Sequence, residues 1–187
     1  MPFLSEADRR ALLELARASV VAAVSCHERP ANIPQGGILD ERRGVFVTLY
    51  VGGRLRGCIG VIESEEPWGE AVVRCAASAA LHDERFPPLL AEELGDLQIE
   101  LSLLSPPAPI RPQNVEIGLH GLLVSRGAQR GLLLPQVALE HHLSREQFLA
   151  ETCHKAGLAR EAWRDPDTKL LGFTCEVFSE GGHPGNH

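Results

Sequence analysis

The chain has 187 residues, 44% hydrophobic and 23% charged, with a formal net charge of −7 and a pI near 5.6. This is the balance of a globular protein, long enough for a sizeable core or for a core with a smaller lobe. The acidic charge, one tyrosine and two tryptophans argue against nucleic acid as a partner, since phosphates need a Lys/Arg excess and single strands need stacking aromatics.

The opening stretch "LSEADRRALLELARASVVAAVS" starts with a capping pattern, Ser5 followed three residues later by Asp8. Leu12, Leu15, Ala16, Ser19, Val20 and Ala23 then form one stripe opposite Arg10, Glu14 and Arg17, so the segment is expected to be an amphipathic helix. Its most apolar part, "ASVVAAVSC", is half the length of a spanning helix and follows an acidic start. No membrane or export segment is therefore expected, and the expected location is cytoplasmic. "HERPANIPQGG" then reads as loop.

"GVFVTLYVGGRLRGCIGVI" reads as a β-hairpin, two β-rich runs around a Gly52-Gly53 turn. Simple pairing across that turn sets Arg56 opposite Leu49 and Cys58 opposite Val47. Arg54, Arg56, Cys58 and Gly60 would then share one face, with Leu55, Ile59 and Val61 facing a core. One residue more or fewer in the loop would reverse that parity.

A helix is expected from Pro67, with Trp68, Ala71, Val72, Cys75, Ala76 and Ala79 as its apolar face, followed by a loop at "LHDERFPPL". "LQIELSLLS" reads as a strand with Ile99, Leu101 and Leu103 on one side and Gln98, Glu100 and Ser102 on the other. The four prolines of "SPPAPIRPQ" can continue neither helix nor sheet and mark an internal boundary near residues 105–113. A second hairpin at "GLLVSRGAQRGLLLP" and a helix at "LSREQFLAETCHKAGL", capped by Ser144 and Gln147 and stopped at Gly157, come next. A last strand, "KLLGFTCEVF", precedes a tail at 181–187 that is expected to be disordered. The fold class is therefore α+β, a mostly antiparallel sheet flanked by helices. One domain over residues 1–180 would comprise a larger lobe built from both chain ends and a smaller second lobe.

Five cysteines lie far apart with no C-x-x-C pair, so free thiols are expected, with no cysteine zinc site and no metal or other cofactor. Cys75, Cys153 and Cys175 read as core residues. Cys58 is different: two arginines on its face would favour thiolate, and Gly57 and Gly60 would leave the backbone bare for close approach. His120 is a candidate base, and Glu100 a candidate partner for Arg56 across the sheet. Asp83, Glu84, His141 and His142 make no recognisable metal spacing.

Two readings stay open. In one, an enzyme or enzyme component binds a small anionic molecule at the "RLRGCIG" hairpin: Arg54 and Arg56 hold the charge, Gly57 and Gly60 give room, Glu100 orients Arg56, and Cys58 is the nucleophile with His120 as base. In the other, the same surface is a non-catalytic adaptor or scaffold that docks a partner protein, and Cys58 is packing.

The blocks "LRGCIG", "HDERFPPL", "IELSLLSPP", "IGLHGLLVSRGAQRGLLLPQVALE", "KAGL" and "AWRDPDTKLLGFTCEVF" together resemble the AMMECR1 family, which includes protein A of the AmmeMemoRadiSam system. The resemblance implies a two-lobed α+β fold and a functional site at "LRGCIG", here Leu55, Arg56, Gly57, Cys58, Ile59 and Gly60. It also implies a Memo-like protein and a radical SAM protein as partners, by association only, and no particular reaction. Where relatives carry a tryptophan-containing segment, this chain has "HHLSREQ", and no role is carried over to it.

Overall fold

The structure is a computed structural model and describes residues 4–26 and 33–180. The expected tail and much of the "HERPANIPQGG" loop lie outside the described residues. The fold is α+β, an antiparallel sheet with flanking helices. The chain divides into two compact units, one formed by residues up to Leu103 together with the segment from Glu176, the other by Leu104–Cys175.

In the first unit, helix α1 (Glu6–Cys26) begins at the expected cap: the Ser5 hydroxyl donates to Asp8 at 2.6 Å and accepts from its backbone N–H at 3.2 Å. The stripe from Leu12 to Ala23 is buried, and the Ser19 hydroxyl within it donates to the Val73 carbonyl at 2.7 Å. Strands β1 (Val45–Val51) and β2 (Arg54–Val61) form the hairpin, with Gly52 and Gly53 at φ 55° and 75° as a tight turn requires. Helix α2 (Trp68–Leu81) starts one residue beyond Pro67 and buries Trp68, Ala71, Val72, Cys75, Ala76 and Ala79. Strand β3 (Leu97–Leu104) pairs antiparallel with β1, so β1 lies between β2 and β3, and β2 forms the edge. Val45, Val47, Leu49, Ile99, Leu101 and Leu103 face the helices and form one core with them.

The second unit contains β4 (Ala108–Pro109), β5 (His120–Arg126), β6 (Gln129–Leu133), α3 (Pro135–Glu140) and α4 (Arg145–Lys155). It also takes most of β7 (Lys169–Ser179), whose last residues belong to the first unit. The proline-rich segment was expected to join no sheet. It contributes β4, two residues paired with Leu171 and Gly172, and a one-sided pairing tolerates Pro109. Helix α3 was not expected; Pro135 at its first position and its six-residue length hide it from a periodicity search. The α4 cap forms as expected, with Ser144 and Gln147 exchanging side chain-to-backbone hydrogen bonds, and Gly157 takes φ 73° beyond its end. Val115, Leu122, Ala138, Phe148 and Leu149 make this unit's own core.

Candidate functional site

The hairpin register differs from simple pairing. Leu49 pairs with Gly57 but Tyr50 pairs with Leu55, so Arg56 is an extra residue bulged out of β2. Beyond the bulge the parity reverses: Cys58 lies opposite Thr48, not Val47, and Gly57 rather than Arg56 lies opposite Leu49. Cys58 therefore shares a face with Thr48 and Glu100 in a row across β2, β1 and β3, instead of sitting among valines. Leu55, expected in the core, is 41% exposed.

The glycines do not leave bare backbone. A Cβ on Gly57 would overlap the carbonyl of Ala79, so this glycine allows α2 to lie directly on β2. A Cβ on Gly60 would overlap the Phe46 ring, which fills that space. In both cases the close neighbour is another part of the fold.

Arg56 is also used internally. It forms a two-pronged ion pair with Glu93 (Nε–Oε1 2.8 Å, Nη2–Oε2 2.9 Å) and donates to the Pro87 and Pro88 carbonyls at 2.5 and 3.1 Å. Glu93, not Glu100, is its partner, and the second Glu93 oxygen also accepts from the Leu90 backbone N–H at 2.8 Å. The bulge projects the guanidinium off the edge of β2 onto segment 87–93. Arg54 remains at the exposed start of the strand.

The outward backbone groups of Cys58 are covered by a second device. Its N–H donates to Asp83 Oδ2 at 2.8 Å, and its carbonyl accepts from Arg85 Nη2 at 3.2 Å. Asp83 is buried and also accepts from the Arg85 side chain at 2.7 and 2.9 Å and from its N–H at 3.2 Å. An Asp-x-Arg turn thus stands in for a neighbouring strand along the free edge of β2. The Arg85 hydrogen bonds, joined by those from backbone, hold the Asp83 carboxyl well below the usual carboxylate range.

The thiol itself accepts a hydrogen bond from the Thr48 hydroxyl at 3.3 Å. Burial pushes the Cys58 thiol above its ordinary value; Thr48 and the Arg85 charge pull against this, while Asp83 and Glu100 add to it. This corrects the expectation of a lowered pKa. The two arginines thought to favour thiolate are a bulged structural clamp and an exposed strand end, whereas desolvation acts on the thiol directly. Burial likewise raises Cys75 to about 11 and Cys175 to about 12.

His120 belongs to the second unit, at the start of β5 opposite Thr174. Its Nδ1 accepts the Glu116 backbone N–H at 3.0 Å. Cys58, Thr48, Glu100, Arg56, Gly57 and Gly60 come together in the first unit, with Arg54 at its margin. Sequence reasoning missed Thr48, Asp83, Arg85 and Glu93. The signal was available in "HDERFPPL", whose Asp-x-Arg spacing suits a carboxylate-anchored turn. Among the described residues no group of three or more His, Cys, Asp or Glu could hold a metal ion, and no helix is long and apolar enough to cross a membrane.

Comparison with known proteins places this geometry in context. The AMMECR1 family model matches residues 13–178. A protein of Methanothermobacter thermautotrophicus is 41% identical over 96% of this chain and 97% of its own length, and Protein TK0174 of Thermococcus kodakarensis is 43% identical over 90% and 88%. The crystal structure of the uncharacterized protein PH0010 from Pyrococcus horikoshii is similar with a TM-score of 0.82 at 40% identity, covering 91% of this chain and 90% of that one.

Proposed function

The chain belongs to the AMMECR1 family, and from that premise we propose that it works as a non-catalytic docking component, with the β2 edge and segment 83–93 as its partner-binding surface. One observation carries this reading: the signature's polar groups are spent on holding this surface rigid. Arg56 is held by Glu93 and two carbonyls through four hydrogen bonds, and the Cys58 backbone by Asp83 and Arg85. A nucleophile at Cys58 would need thiolate at neutral pH, whereas burial favours the thiol.

What the frame presents outward suits a protein partner. Leu55, next to Arg56 in the chain, and Leu90, whose N–H donates to Glu93, are 41% and 54% exposed. Arg85, with 58% of its side chain exposed, lies over the Phe86 ring at 5.4 Å. Arginine, aromatic and aliphatic groups on a rigid support are the composition of an interface centre. A Memo-like protein and a radical SAM protein from the same organism are the partners to test first.

The test is calorimetric titration of this chain with each purified partner. Leu55→Glu should weaken binding at least about tenfold, as for an interface anchor, while Cys58→Ala leaves it unchanged. Arg56 is unsuitable as a probe because its loss would loosen the frame itself. Binding to neither partner, or binding lost with Cys58→Ala and kept with Leu55→Glu, would remove this reading in favour of a thiol-centred site.

A further inference from the structure

The second unit carries a cleft that the docking reading does not use. It is bounded by α3, the C-terminal turn of α4 and the end of β6, and has a volume of about 450 Å³, within the range of small-molecule sites. Leu133, Val137 and Leu143 form its apolar floor, and Leu133 and Leu143 also pack on this unit's core. His141, Glu151, His154 and Lys155 form the rim. Helical spacing explains the grouping: His141 stands one turn beyond Val137, and Lys155 one turn beyond Glu151.

The charge of that rim is unbalanced. Its single carboxylate, Glu151, is held by an ion pair with Arg160, and His154 Nδ1 lies 4.0 Å from the other Glu151 oxygen. Among the described residues, neither the Lys155 ammonium nor the His141 ring is hydrogen-bonded. The groups facing one another are thus Glu151, His154 and Lys155 from α4, His141 from the end of α3, and Arg160 beyond α4. One acid, already paired with Arg160, meets the Lys155 ammonium and two imidazoles beside an aliphatic floor.

We propose that this cleft binds a small carboxylate with an apolar body. The chain or ring of the ligand lies on Leu133, Val137 and Leu143, and its carboxylate meets Lys155, His141 and His154. Carboxylate rather than ammonium follows from the Lys155 ammonium, which has no hydrogen-bonded partner among the described residues, while the one acid of the rim is already held by Arg160. Tighter binding at lower pH follows because a protonated imidazole adds charge of the right sign. This inference does not depend on the docking role of the first unit.

Octanoate is the probe, with octylamine and octanol as controls, followed by amide chemical shifts of the whole chain at pH 6 and pH 8. The expected result is saturable shifts on α3 and α4 with a Kd on the order of 1 mM, tighter at pH 6 by about threefold. Lys155→Glu should weaken octanoate about fivefold, and His141→Gln with His154→Gln should abolish the pH dependence. All three side chains are exposed, so these variants keep the fold. Octylamine or octanol binding as well as octanoate, unchanged affinity in Lys155→Glu, equal wild-type affinity at both pH values, or absence of saturable shifts at the cleft would each overturn the proposal.

Discussion

Asp83→Asn tests the clamp on Cys58 directly. The carboxylate accepts from the Cys58 N–H at 2.8 Å and from three Arg85 donors at 2.7–3.2 Å, so an amide must turn its NH2 towards donors on one side. The Arg85 side chain is 58% exposed and can rehydrate, so its ion pair counts for little. The loss is then essentially one charge-assisted hydrogen bond at a buried acceptor, about 2 kcal/mol. Because the folded Asp83 pKa is depressed, its contribution is present above the unfolded carboxylate value and is lost as pH falls through the folded one. The gap between wild type and variant should be full at pH 7 and begin to close below about pH 4, with about 1.3 kcal/mol of it gone by pH 3. Urea unfolding at the two pH values measures the gap, and amide exchange at Cys58 reports the site. Coincident midpoints at pH 7, a gap undiminished at pH 3, or unchanged Cys58 exchange would refute the clamp.

Other expectations concern the same frame. Gly57→Ala forces a Cβ into the Ala79 carbonyl and should cost about 3 kcal/mol in thermal unfolding, whereas Gly95→Ala, with nothing within 4 Å of its Cβ, should stay within about 0.5 kcal/mol of wild type. Alkylation of Cys58 by iodoacetamide should be slow at pH 7 and titrate above an ordinary thiol; Thr48→Val, removing the donor to Sγ, should raise that apparent pKa further. Faster alkylation in the valine variant at fixed pH would contradict this account of the thiol. Arg56→Lys keeps the charge but loses the fork to Glu93 and a carbonyl contact, so segment 87–93 should exchange faster and stability fall by about 1–2 kcal/mol, read by exchange and urea midpoint.

Local chemistry determined much of this protein without a structure. The Ser5–Asp8 and Ser144–Gln147 caps, the buried stripe of α1, the Gly52-Gly53 turn and the alternation of β3 each depend on residues within a turn or two of one another, where periodicity is a direct physical signal. The family blocks were legible for the same reason, as contiguous strings. The state of Cys58 was not. Its face depended on a single bulged residue, Arg56, and strand periodicity of two turns a one-residue slip into complete reversal. That slip sits where Gly57 meets Ala79 and Arg56 meets Glu93, contacts between residues 22 and 37 positions apart that no local pattern encodes. Asp83, 25 residues from Cys58, completes the clamp and was read in sequence only as a metal ligand to set aside. The sequence determined which groups the site would contain; tertiary packing decided which of them face one another, and so whether an arginine beside a cysteine activates it or holds up a loop.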